Sequence, residues 1–346
     1  MKRSRRENRA SGRVTLDDVA LAAGVSRITV SRALRGERQV AADLAERAIA
    51  AAKRLGYVPD PAARALASSK SSHVAILIPL LSNQLFVDLL EGVQQTLLPA
   101  GYQTLMGVTH YNPIEEEQLL KGQLLHRPAG LLITGNQQPE STQQLIRQSG
   151  VPSVHLMDVA GPEGTYSVGF SQQAAAQAMT QHLIATGRRR IAFAAAQLDP
   201  RTLQRAEGYR SCLQQVGLYD PTLEWLNPAP SSMKVGAALL EQIVGLRPKV
   251  DAVFFCNDDL ALGGLLAAQR LGISVPQEIA IAGFNDLPGG EEFLPSLTTI
   301  KTPRWAIGVE AAKMLLALMR GETPTQAHLD LGFELVVRQS TQSGSI

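Results

Sequence analysis

Arginines and hydroxyls crowd one short segment: Ser26, Arg27, Thr29, Ser31 and Arg32 fall within "VTLDDVALAAGVSRITVSRALRG", Val14 to Gly36. A guanidinium can pair bidentately with the O6 and N7 of guanine, a hydroxyl can grip a phosphate oxygen, and Ile28 can pack on a thymine methyl. On a helix, Arg27, Ile28, Ser31 and Arg32 stand at i, i+1, i+4 and i+5 and share one face. Val30 and Leu34 share the other. Such a face fits a polyanion.

The elements that must carry this face are legible. Thr15 with Asp18 three residues on makes a capping box, with Asp in place of the usual Glu. A first helix is predicted from about Leu16 to Ala23, with Leu16, Val19 and Ala20 turned inward. Gly24 permits a sharp turn, Val25 plugs the corner, and Ser26 caps a second helix running through Leu34 and ending near Gly36. A third helix spans about Ala42 to Leu55 and ends at Gly56. Two short helices joined by a glycine turn are the geometry of a helix-turn-helix, whose second helix enters the major groove. Charge agrees. Residues 1–70 hold 15 Lys/Arg against 7 Asp/Glu, and the remaining 276 hold 18 against 24, so a basic head sits on an acidic body.

After the head comes "YVPDPAARALASSK". Asp60 can cap and Pro61 can open a helix over Ala62 to Ala67, too short to be stable in water by itself. It carries Arg64 and one large apolar residue, Leu66, before the linker "SSKSS". A marginal helix between two domains is a candidate switch.

From His73 onward, apolar runs alternate with helical patterns. "HVAILIPL", "YQTLMGVT", "AGLLITG" and "PSVHLM" read as strands buried on both faces. After "YSVGF" the pattern repeats with "RIAFAAA", "AVFFCN" and "IAIAGF". Helices lie between them, and a final helix, about Pro303 to Arg320, precedes a strand "LDLGFELVV". This predicts two α/β subdomains with parallel sheets, divided near Phe170. Open α/β sheets bind ligands beyond the C-terminal ends of their strands. Just past those ends stand "SNQLF", Asp158, Asn257 and Asn285, with Arg205 early in the helix after "RIAFAAAQL". Any one Asn or Asp there is an ordinary helix cap. Together, amides, carboxylates and an arginine suit a polyhydroxylated ligand, and the arginine could hold a carboxylate in a fork.

Other chemistry finds little support. Cys212 and Cys256 lack C-x-x-C spacing and read as buried thiols of a reducing compartment. No apolar run follows "MKRSRRENRASGR", and no stretch reaches the length of a membrane span, so a cytoplasmic protein without a secretory signal is expected. No phosphate loop follows a strand, the six histidines have no metal-ligand spacing, and no G-x-S-x-G elbow is present. No cofactor or metal is implied. Two function classes remain: a DNA-binding repressor whose body senses a small molecule, or a sugar-binding protein or sugar-modifying enzyme with an incidental basic head. The hinge favours the repressor.

The segment "VTLDDVALAAGVSRITVSRALRG" followed by "LGYVPDPAARALAS" resembles, without a gap, the headpiece and hinge of the lactose-repressor family of bacterial transcription regulators. The resemblance implies that Arg27, Ile28 and Arg32 read the major groove. It also implies that Thr29 and Ser31, with Ser26 beside them, face the backbone, and that paired hinges wedge the leucine matching Leu66 into the minor groove. Asp60-Pro61 stands where members often have Asn. The body is similar to the family's periplasmic-binding-protein-like domain. "RAEGY", "CNDDLALG" and "AGFND" resemble its effector segments, placing Arg205, Asn257 and Asn285 in the cleft, and "NQLF" places Phe86 against the ligand. Asn285 replaces an Asp of many sugar-binding members, so an anion is repelled less. "LMGVTHYNPIEEEQLL", "VGFS", "DPRT", "NDDLALGG" and "LDLGFEL" resemble the gluconate-operon repressor branch. That implies gluconate, 6-phosphogluconate or 2-ketogluconate as effector, and a homodimer or tetramer on a near-palindromic operator. The expected division is a basic arm (1–13), headpiece (14–59), hinge and linker (60–72) and body (73–346). The body splits into an N-subdomain of about 73–168 and 298–327 and a C-subdomain of about 169–297 and 328–346.

Overall fold

The computed structural model of the protein describes residues 14–34, 36, 39–58, 71–81 and 84–342. The expected arm (1–13) and hinge helix, with Arg64 and Leu66, lie outside the described residues. The chain divides into two compact units, Met1–Ser71 and Ser72–Ile346.

The first unit contains α1 (Leu16–Ala23), α2 (Arg27–Leu34) and α3 (Ala42–Leu55). Thr15 caps α1: its backbone N–H donates to the Asp18 carboxylate at 2.8 Å, and its hydroxyl accepts from the Asp18 N–H, which satisfies donors that the helix cannot. Gly24 turns the chain with φ 66°, and the Arg47 guanidinium of α3 donates to the Ala23 carbonyl at 2.7 Å. That guanidinium also fills the space a side chain at position 24 would need. Val19, Val30 and Ala48 meet in a small core, one from each helix. Amphipathic spacing sets which faces of the three helices meet.

In the second unit, apolar five- and six-residue runs become β1 (His73–Ile78), β2 (Gln103–Val108) and β3 (Gly130–Thr134), followed by β4 (Ser153–Leu156) and β5 (Ser167–Gly169). Helices α4 (Gln84–Leu97), α5 (Pro113–Leu125) and α6 (Glu140–Ser149) connect them. The pattern then repeats as α7 (Gln172–Ala185), β6 (Ile191–Ala196), α8 (Pro200–Gln215), β7 (Glu224–Asn227), α9 (Met233–Ile243), β8 (Ala252–Phe255), α10 (Asp258–Leu271) and β9 (Ala280–Ala282). The chain returns through β10 (Thr299–Lys301), α11 (Arg304–Met319), β11 (His328–Asp330) and β12 (Glu334–Val336).

Two parallel sheets result, ordered β11-β5-β4-β3-β1-β2 and β7-β6-β8-β9, with an antiparallel ribbon β10-β12. Central strands are buried, β6 from end to end and β1 from Val74 onward, because helices cover both faces. Three expectations need correction. The run "YQTLMGVT", predicted to be buried on both faces, forms the edge strand β2 and is half exposed. "LDLGFELVV" is two strands in different sheets, interrupted where the Asp330 carboxylate accepts from the Gly332 N–H. Its first part, β11, pairs with β5, so residues 328–330 join the first sheet and not the expected C-subdomain.

Candidate functional site

On α2, Ile28 is 65% exposed, and Arg27 and Arg32 project beside it from the same solvated face. An exposed apolar side chain flanked by two arginines leaves this face able to meet both a base methyl and a base edge or phosphate. Ser26 and Thr29 hold each other: the Ser26 hydroxyl accepts from the Thr29 N–H at 3.1 Å and lies 2.8 Å from the Thr29 hydroxyl. Arg27 stands 3.7 Å from Asp17, an exposed pair of small energetic weight. Ser31 is half-buried between the two faces.

In the body, the backbone itself marks a site. His110 and Tyr111 follow β2, Met157 follows β4, Gln197 follows β6, and Asn285 and Asp286 lie beyond β9, all at left-handed φ between 50° and 115°. Arg127 is the one other non-glycine residue of this kind among the described residues. Each such residue costs on the order of 1–2 kcal/mol, and strain of this sort persists where surrounding structure enforces it.

Three of these residues, Tyr111, Gln197 and Asn285, line a cavity of about 260 Å³. Four of the five expected cleft residues, Phe86, Arg205, Asn257 and Asn285, line it. Asp158 does not. It is buried nearby, accepts from the Val159 N–H at 3.1 Å, and burial pushes its carboxyl above the usual range. Asn257 serves two purposes: Oδ1 caps α10 through the Leu260 N–H at 3.0 Å, and Nδ2 donates to Ser231 at 2.8 Å. Asn285 is 3% exposed, and its Oδ1 has no hydrogen-bond partner among the described residues. A buried acceptor left unmet in a cavity costs energy that a ligand hydroxyl would recover.

Arg205 is held tightly. Its Nε donates to Gln172 Oε1 at 2.9 Å, its Nη1 donates to the Cys256 carbonyl at 2.6 Å, and its guanidinium lies 3.9 Å from the Phe284 ring centre. Burial lowers its pKa from the usual guanidinium value.

The sequence reading missed Tyr111, Asp199, Arg201 and Asp259, all of which line the cavity. Asp199 caps α8, accepting from the Arg201 N–H at 3.0 Å and from Arg201 Nε at 3.2 Å. The Arg201 guanidinium lies 5.8 Å from the ring centres of both Phe86 and Tyr111. Asp259 has no ion pair or hydrogen bond among the described residues, and burial raises its carboxyl above the usual value. A search just past β2 and β6 would have found Tyr111 and Arg201, since "HYN" and "DPRT" follow those strands. Among the described residues no cluster of His, Cys, Asp and Glu could hold a metal, and no helix is long and apolar enough to cross a membrane.

The family described as bacterial regulatory proteins, lacI family, matches residues 15–60, and the periplasmic binding protein-like domain matches residues 180–341. An HTH-type transcriptional regulator GntR of Pseudomonas aeruginosa is 51% identical over 97% of this chain and 98% of its own. The chain belongs to the lacI family of bacterial regulatory proteins. Crystallographic likeness agrees. The transcription regulator GntR from Chromobacterium violaceum superposes with a TM-score of 0.76 at 48% identity, covering 78% of this chain and 99% of that one. A lac repressor dimer bound to operator and the anti-inducer ONPF shares the fold, with a TM-score of 0.85 at 24% identity over 96% of this chain and all of that one. This lacI-family regulator therefore carries a DNA-binding helix-turn-helix in α1 and α2 ahead of a periplasmic-binding-like body.

Proposed function

We propose that this chain is a cytoplasmic repressor of sugar-acid utilisation genes, and that gluconate or a phosphorylated or keto derivative of it releases the chain from its operator. One observation carries the reading. Two arginines, Arg201 and Arg205, share a buried cavity with Asn257 and with the unpartnered Oδ1 of Asn285. Cationic groups suit an acid, and amides at the strand ends suit its hydroxyls. Of the candidate groups read from sequence, Phe86, Arg205, Asn257 and Asn285 contact the ligand, and Asp158 acts from behind the wall. On the head, Arg27, Ile28 and Arg32 face base edges, while Ser26, Thr29 and Ser31 face phosphates. Two copies bind a near-palindromic operator, with Arg64 and Leu66 of each hinge at its centre.

Release follows from linkage: an effector that binds the DNA-incompetent form better shifts the equilibrium by its differential affinity, typically about 1–3 kcal/mol. The test is a titration of protein–operator complex, the operator first selected from random duplexes, with gluconate, 6-phosphogluconate and 2-ketogluconate. Dissociation by at least one of them is expected. Retention of the complex with all three, at saturating concentrations, overturns the effector assignment.

A further inference from the structure

Arg205 is the residue whose surroundings in sequence suggest the acid-binding fork, but its hydrogen bonds already go to Gln172 and to the Cys256 carbonyl, with its face against Phe284. A guanidinium bound in this way is part of the wall. Arg201, one helical turn earlier on α8, is placed differently. Its Nε contacts Asp199, whose carboxylate also caps the helix, and its face lies over Phe86 and Tyr111. Arg205 is tied to the backbone through Nη1, whereas the Arg201 side chain makes no bond to a backbone carbonyl among the described residues and meets the Tyr111 side chain instead. Burial opposes its charge, yet Asp199, Tyr111 and Asp158 together keep its pKa above the usual guanidinium value, so it stays cationic.

We propose that Arg201, and not Arg205, reads the acid group of the effector, and that it does so as a link between the two halves of the body. Arg201 comes from α8, which follows β6 of the second sheet, whereas Phe86 belongs to α4 and Tyr111 follows β2 of the first sheet. A carboxylate laid against the planar fork neutralises a cation that two rings from the facing half already clamp. Acid binding and closure of the cleft thus act on one side chain. Tyr111 is held there by two consecutive left-handed residues, His110 and Tyr111, and by the His110 Nδ1 contact with the Glu115 carboxylate at 2.8 Å. Arg205 ties the α7 start at Gln172 to the end of β8 and lines the cavity beside the acid-reading group.

The proposal rests on the sugar-acid reading above, and calorimetry separates the two. Gluconate and its uncharged counterpart glucitol are titrated into the wild-type full chain, Arg201→Gln and Arg201→Lys, each checked for folding by circular dichroism. Wild type prefers gluconate. Arg201→Gln loses about 100-fold in gluconate affinity while its binding of glucitol holds, so the preference collapses. Arg201→Lys loses about 10-fold, because an ammonium keeps the charge without the fork. Equal gluconate affinity in wild type and either variant overturns the proposal alone, as does equal loss of gluconate and glucitol. A wild type that binds none of the three sugar acids overturns the sugar-acid reading and the proposal with it.

Discussion

Arg304 holds Asn285 by its backbone. The guanidinium donates to the Asn285 carbonyl through Nη1, and its Nε donates to Asp88 at 2.9 Å. Asn285 sits at φ 115°, a conformation an L residue adopts only under constraint, and Arg304 and the Thr302 hydroxyl supply that constraint. Arg304 lines no part of the cavity, so its effect on a ligand must pass through Asn285. Replacing it with Met removes charge-assisted bonds of about 2 kcal/mol and lets the strained backbone relax. Arg304→Met is expected to weaken effector binding about tenfold by calorimetry. Unchanged affinity would show that the strain is maintained without Arg304.

How much of this was legible depended on how local the cause was. The three headpiece helices follow their sequence boundaries to the residue, because Thr15, Gly24, Ser26 and Gly56 act within one turn. Strands β7 and β10 went unread. "EWLN" and "TIK" are short and only part apolar, and they exist because a neighbouring strand accepts them. The same limit applies to the cleft. Asn257 and Asn285 were found by their place past strands, but Arg201 and Tyr111 become a pair only through the return of two sheets to one cavity.

Asp258 offers a pH test. Its carboxylate accepts from the Thr299 hydroxyl and from the Leu287 N–H, each at 2.7 Å, yet burial pushes it up to about 6 from an ordinary 3.8, with the Asp286 charge adding to the rise. A folded-state value above the unfolded one means the group favours folding below pH 4, and that contribution is lost as pH rises through 6. The difference amounts to about 3 kcal/mol at roughly 1.4 kcal/mol per pH unit. Asp258→Asn cannot ionise. Both tryptophans, Trp225 and Trp305, belong to the body, so their fluorescence reports its unfolding in urea. The stability of wild type relative to the variant is expected to fall between pH 4 and 6. Parallel curves would mean the carboxyl titrates in the usual range.

Leu66 tests the hinge. If two copies wedge into the central minor groove, the unstacking they cause is offset by contact made on the bent duplex. Leu66→Ala is expected to lower operator affinity about 30-fold, or about 2 kcal/mol, and to reduce bending measured by gel mobility of circularly permuted fragments. Gluconate affinity in the absence of DNA stays at the wild-type value. Full bending by the variant would place the wedge elsewhere.

Arg32 separates base reading from phosphate binding. It projects from the same exposed face as Ile28, one turn beyond it, where a fork can reach guanine O6 and N7. A bidentate pair contributes about 1–3 kcal/mol of discrimination, so Arg32→Ala should relax selectivity about 5- to 150-fold at one base pair of each half-site. Affinity for the duplex carrying the wrong base there changes little, since that complex never had the pair. A phosphate contact behaves otherwise: its loss weakens all sequences alike and lowers the slope of affinity against salt by about one ion. Binding of a panel of single-base operator variants at two salt concentrations distinguishes the two. Selectivity lost at one position with an unchanged salt slope places Arg32 on a base edge, and uniform weakening moves it to the backbone.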